Sequence, residues 1–117
     1  MWYSRSMETR TRIAVSEEPV LREVTARLRG LYGDRIKRIV LYGSRARGDH
    51  RPDSDYDIAV FLRDYDGAWD EMAKMSDLSC DLLMEKGWNV SIKLFRLVDW
   101  RIDTIFMRHL RRDGIEI

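Results

Sequence analysis

An apolar run from Ile36 to Tyr42 ends in Gly43-Ser44, and ten residues later Asp55-x-Asp57 opens a second apolar run, Ile58 to Leu62. No other feature limits the fold of this chain as strongly. Both runs have the length of strands rather than helices. Ile39-Val40-Leu41 is continuous enough to be buried on both faces of a sheet. Gly43 stands where the first strand turns, and lacking a Cβ it can take unusual dihedrals and let a ligand approach the backbone. Asp55 and Asp57 are poor strand formers placed at the start of a strand, which asks for a reason beyond folding.

Phosphate and metal chemistry supply that reason. The amides from Ser44 onward, at the start of a short helix, can point at phosphate oxygens. The Ser44 hydroxyl adds a donor, Arg45 and Arg47 add fixed positive charge suited to phosphate, and Gly48 keeps the loop tight. Two residues apart on a strand, the Asp55 and Asp57 carboxylates face one way, roughly 7 Å apart at the backbone. Such a pair can share divalent cations. Magnesium takes few protein carboxylates and completes its shell with substrate phosphates. Gly-Ser followed by polar residues also describes an ordinary turn, and Asp-x-Asp a solvated strand end. The two together, each beside a strand, point to binding of a nucleoside triphosphate with Mg2+, or to nucleotidyl transfer.

The remaining pattern places these strands in a small α/β domain. Residues 1–15 read as a flexible N-terminal arm and residues 16–117 as the domain. Ser16-Glu17-Glu18-Pro19 is a helix start. Val20, Leu21, Val24, Leu28 and Leu31 follow helical spacing up to Gly33. The second strand is expected over Asp55–Leu62, followed by a helix over Ala68–Lys86 with Trp69, Met72, Ala73, Leu78, Leu82 and Leu83 inward. A third strand follows over Trp88–Phe95. Asp99 is placed to cap a last helix, about residues 100–112, buried through Ile102, Ile105, Phe106 and Leu110. Gly114 stops it, and Ile115–Ile117 forms a short tail strand. The expected fold is a three-strand core mixed sheet flanked by about four helices.

Composition narrows the function classes. The 117 residues suit one domain with one modest core. A net charge of +1 gives no global basic field, so nucleic acid is not expected as the main partner. One cysteine, Cys80, excludes a disulfide framework and suits a reducing, cytoplasmic setting. Cys80 itself reads as a small buried apolar residue. The longest apolar run is far too short to span a bilayer.

The stretch Gly43-Ser44-x10-Asp55-x-Asp57, within GSRARGDHRPDSDYDIAVFL, resembles the signature of the minimal nucleotidyltransferases of the DNA polymerase β superfamily. The likeness is dense over residues 36–62 and continues through element order over about residues 16–117. It implies ATP as substrate, bound with Mg2+. Gly43 and Ser44 would hold the triphosphate, and Asp55 and Asp57 would be the metal ligands. Small members are similar to antitoxins encoded beside HEPN-domain toxins, which they silence by adding AMP to a toxin tyrosine. The resemblance implies a third carboxylate on the strand that here reads Trp-Asn-Val-Ser-Ile-Lys-Leu-Phe, which has none. Asn89, Ser91 and Lys93 share the polar face of that strand, with Ser91 expected on the face shared with Asp55 and Asp57, or Asn89 should the register differ by two. Asp81, Asp99 and Asp103 are alternative sources of the missing acid. Three functions follow: transfer of AMP to a partner protein, a contact-masking antitoxin or regulatory subunit with impaired catalysis, and nucleotidylation of a small drug. The last lacks an evident second domain to hold its acceptor.

Overall fold

The computed structural model describes residues 18–117; the N-terminal arm and the Ser16 cap lie outside them. Helix α1, Glu18–Tyr32, accepts Pro19 in its first turn and carries Glu18 at its positive end. Val20, Leu21, Val24, Leu28 and Tyr32 face inward. Leu31, expected with them, is exposed, and Tyr32 takes its place. A 3-10 turn, Gly33–Arg35, leads into strand β1, Ile36–Tyr42. The single-turn helix α2, Ser44–Arg47, follows at once. Strand β2 is Tyr56–Leu62, helix α3 Trp69–Lys86 and strand β3 Val90–Arg96. A 3-10 turn, Leu97–Arg101, precedes helix α4, Ile105–Asp113, and strand β4, Ile115–Glu116.

The sheet has four strands rather than three, in the order β3-β2-β1-β4. β1 runs antiparallel to β2 and β4, and β2 runs parallel to β3, so the sheet is mixed. The fourth strand is the expected tail, drawn into the sheet by Ile115, which is buried opposite Leu41, and by an ion pair from Glu116 to Arg38. Gly114 makes this return tight: a Cβ there would overlap the Leu110 carbonyl and the Val40 side chain.

Strand alternation sorts the core into two layers. Ile39, Leu41, Ile58, Val60 and Leu62 pack under α1 and α3. Val40, Ala59 and Phe61 pack under Met107 and Leu110 of α4. Both faces of β2 are therefore covered, which is why its sequence is apolar without a break. Among the described residues no helix is long and apolar enough to cross a membrane.

Both later helices differ from expectation in phase. On α3 the inward stripe is Met75, Leu78 and Leu82. Met72 and Leu83 lie roughly a quarter turn round the helix from it and Trp69 further still, so all three are exposed. Cys80, on the outer side, is exposed as well. Asp99 does not cap the last helix; its carboxylate accepts from the Arg96 amide at 3.0 Å and closes the 3-10 turn. The cap is Thr104, whose hydroxyl accepts from the Met107 amide at 3.1 Å. Starting later, α4 buries Met107 and Leu110, while Ile102, Ile105 and Phe106 stay exposed.

Candidate active site

The register lays three rows of side chains across the face that α4 partly covers. Tyr42, Asp57 and Ser91 are partners in the first row. Val40, Ala59 and Lys93 form the second, and Arg38, Phe61 and Phe95 the third. The third row is sealed by aromatic packing: Phe61 meets Trp100 edge-on at 5.3 Å and stacks on Phe95 at the same separation. Phe106 of α4 reaches from Phe95 (5.6 Å) to Tyr42 (5.4 Å). It walls the first row on the helix side, a place that helical periodicity concealed by assigning it to the core.

Gly43 makes the first row possible. Its φ of 74° and ψ of −157° suit glycine alone, and a Cβ there would overlap the Asp57 carboxylate, whose Cγ would lie 3.3 Å away. The motif loop therefore lies directly against Asp57. The amides of Ala46 and Arg47 both donate to the Gly43 carbonyl at 3.1 Å. Those of Ser44 and Arg45 head the turn, where a helix has no partner of its own to offer.

Arg45 and Arg47 have different surroundings. Arg45 is 8% exposed. Its guanidinium lies 4.0 Å over the Tyr56 ring and donates to the carbonyls of Ser54 (3.0 Å) and Pro52 (3.2 Å). Tyr56 belongs to the opposite layer from Asp57, so Arg45 braces the 52–54 segment from behind. Arg47 is exposed and paired with Asp49 at 3.3 Å, and its charge reaches Asp57.

Asp55 precedes β2, which begins one residue later than expected, and is exposed. Asp57 is half-buried. Burial and then the negative charge of Asp55 push its carboxyl above the usual aspartate range, while Lys93 and Arg47 oppose them. Tyr42, pushed up to about 12 by burial and by Asp57, remains a neutral phenol.

A half-buried carboxylate, repelled by the exposed Asp55 and pressed against the Cβ-less Gly43, suits a divalent cation. Among the described residues no group of three or more His, Cys, Asp and Glu side chains is placed to hold a metal alone. Two aspartates completed by phosphate oxygens is the donor set Mg2+ accepts, so the residues fit the ion.

The position beside Asp57 on β3 is Ser91, as strand alternation indicates. None of the three alternative acids reaches it. Asp99 closes its own turn, Asp103 pairs with Arg108 at 2.6 Å, and Asp81 is on α3, across the sheet. Lys93, one row deeper, supplies the nearby positive charge.

Known proteins are similar to this chain. A Methanocaldococcus jannaschii protein named "Putative protein adenylyltransferase" is 32% identical over 102 residues, covering 86% of this chain and 96% of that protein. A crystal structure of a toxin-antitoxin with AMP-PNP matches with a TM-score of 0.56 at 20% identity, over 79% of this chain and 68% of that one. A mutant of the toxin-antitoxin MntA-HpeT matches with a TM-score of 0.56 at 18% identity, over 80% of this chain and 69% of that one. At these identities the two structures speak for the fold alone. Residues 31–117 match the family described as Polymerase beta, Nucleotidyltransferase, and the chain belongs to that family.

Proposed function

We propose that this chain transfers AMP from Mg-ATP to a tyrosine hydroxyl of a HEPN-type toxin and thereby acts as its antitoxin. The observation that carries the reading is the close packing of the Gly43 backbone against Asp57, which joins phosphate loop and carboxylates in one site. The name of the Methanocaldococcus relative and the toxin-antitoxin character of the structural neighbours support a protein as acceptor.

In this reading the amides of Ser44 and Arg45 and the Ser44 hydroxyl hold the triphosphate, and Arg47 adds charge at the loop's rim. Asp55 and Asp57 hold Mg2+, which when bound polarises the phosphates and stabilises the leaving pyrophosphate. The acceptor oxygen bonds to the α-phosphorus and gives up its proton as the bond to the bridging oxygen of the β-phosphate breaks. Phe106 and Tyr42 wall the row on the side where an acceptor ring would enter.

A second reading is a contact-masking antitoxin with impaired catalysis. The neutral Ser91 beside Asp57, where a third acid would stand, favours it. Incubating the purified pair with ATP labelled at the α-phosphate separates the two. Label on the toxin tyrosine supports transfer. Full neutralisation of the toxin without label overturns it in favour of masking.

A further inference from the structure

On the α4 side of the sheet, the charge balance around Asp57 is unusual for a site of two metal-binding carboxylates. Asp57, repelled by Asp55, is met by two cations, Lys93 and Arg47, of which Lys93 has the larger effect. The parallel register fixes where Lys93 stands. Ser91 is level with Asp57 and Lys93 with Ala59, so both point to the same face as Asp57. Two residues along a strand span roughly 7 Å, and a four-carbon side chain reaches back over most of that distance toward Asp57. Ala59, the β2 partner of Lys93, is small and adds no bulk of its own beside Asp57. Lys93 itself is exposed, on an edge strand, with its ammonium open to a ligand.

We propose that Lys93 binds the phosphates of the nucleoside triphosphate directly and takes over part of the neutralisation that a second divalent cation would provide. The proposal rests on the nucleotide site described above and deepens it. A lysine ammonium is a compact point charge that serves phosphate well and needs no fork geometry. An acid beside Asp57 would add negative charge and require more metal. Here the face carries a neutral hydroxyl and a fixed cation instead. Nucleotide should therefore stay bound, more weakly, when divalent ions are removed.

Isothermal calorimetry with ATP tests this on wild type, Lys93→Met, Lys93→Arg and Asp57→Asn, each in Mg2+ and in EDTA. Loss of a charge-assisted phosphate contact predicts about tenfold weaker ATP binding for Lys93→Met in Mg2+. In EDTA, wild type retains measurable binding and Lys93→Met loses it. Lys93→Arg stays within about threefold of wild type, because charge rather than shape is at work. Thermal melting confirms that Lys93→Met is folded, as expected for an exposed side chain. Lys93→Met binding like wild type in Mg2+, while Asp57→Asn is weakened, overturns the role of Lys93 and leaves the nucleotide site standing. Wild-type binding that vanishes in EDTA overturns the substitution of fixed charge for metal. No ATP binding by wild type in either condition overturns the nucleotide site itself, and this proposal with it.

Discussion

Gly43 and Asp57 occupy complementary space: the carboxylate of Asp57 stands where a side chain on Gly43 would begin. Substitution of Gly43 therefore has two effects, backbone strain at positive φ and collision with the carboxylate. Gly43→Ala should cost about 2–4 kcal/mol of stability. Removing the carboxylate should relieve only the collision. Chemical denaturation of Gly43→Ala, Asp57→Ala and the double variant measures the coupling directly. Additive effects would show that the two residues do not compete for space. For nucleotide binding, Gly43→Val should be more damaging than Ser44→Ala, which removes one donor worth about 0.5–1.5 kcal/mol.

Asp57 should destabilise the metal-free protein. Its carboxyl lies above the usual range in the folded state, so the native form holds its proton more tightly than the unfolded chain. The penalty is absent at acid pH, where both states are protonated, and sets in as pH rises through the raised value. Asp57→Asn should therefore melt higher than wild type at neutral pH without metal, and the difference should vanish at low pH. Mg-ATP should stabilise wild type more than this variant. A lower melting temperature for Asp57→Asn at neutral pH would contradict the electrostatic account.

Arg45 is expected to matter for the loop's shape. Alanine there leaves the Ser54 and Pro52 carbonyls without their donor and removes the cation from Tyr56, a loss of about 2–3 kcal/mol. Lysine keeps the charge and should still be destabilising, since one ammonium cannot reproduce the two-point contact. Denaturant midpoints of the two variants decide the matter. Lysine matching wild type would reduce Arg45 to a source of charge.

Ser91→Asp places an acid level with Asp57. If the wild-type site is slow for want of a third ligand, this change should raise AMP transfer to the cognate partner roughly tenfold or more. The radiolabel assay that detects transfer also measures this gain. Robust wild-type transfer lowered by Ser91→Asp would show that two aspartates suffice.

Much of the fold was readable because its signals are local. The β1 turn, the Asp55 and Asp57 pair and the unbroken apolar run of β2 each follow from a few adjacent residues. Strand alternation put Ser91 on the face of Asp57, since a period of two leaves a single choice of face, and the parallel register then sets it level with Asp57 rather than Asn89. Helix phase was less legible. α3 and α4 carry more large apolar residues than their cores use, so Trp69, Met72 and Ile105 fitted an inward face and stay exposed, while Phe106 leaves the core to pack on Tyr42 and Phe95 at the edge of the first row. Asp99 and Thr104 are both good capping residues, and only the three-dimensional course of the 97–104 segment shows which turn each serves. Arg45 resembled Arg47 in sequence; that it tucks behind the loop depends on Tyr56 facing the other layer, a tertiary relation.

The mixed sheet divides the site between two parts of the chain with different freedom to vary. Gly43, Asp55 and Asp57 come from one continuous stretch in which β1, loop and β2 brace each other, so a change at any of them disturbs its neighbours. Ser91 and Lys93 arrive on β3 after the α3 crossover, on a strand with a sheet neighbour on one side only. In the proposed reading, the residues that would set the charge facing a nucleotide's phosphates thus sit on the edge strand of the sheet. Under that reading, exchanging one or two side chains at this border would shift such a chain between vigorous transfer and simple nucleotide retention, with the loop at Gly43 untouched.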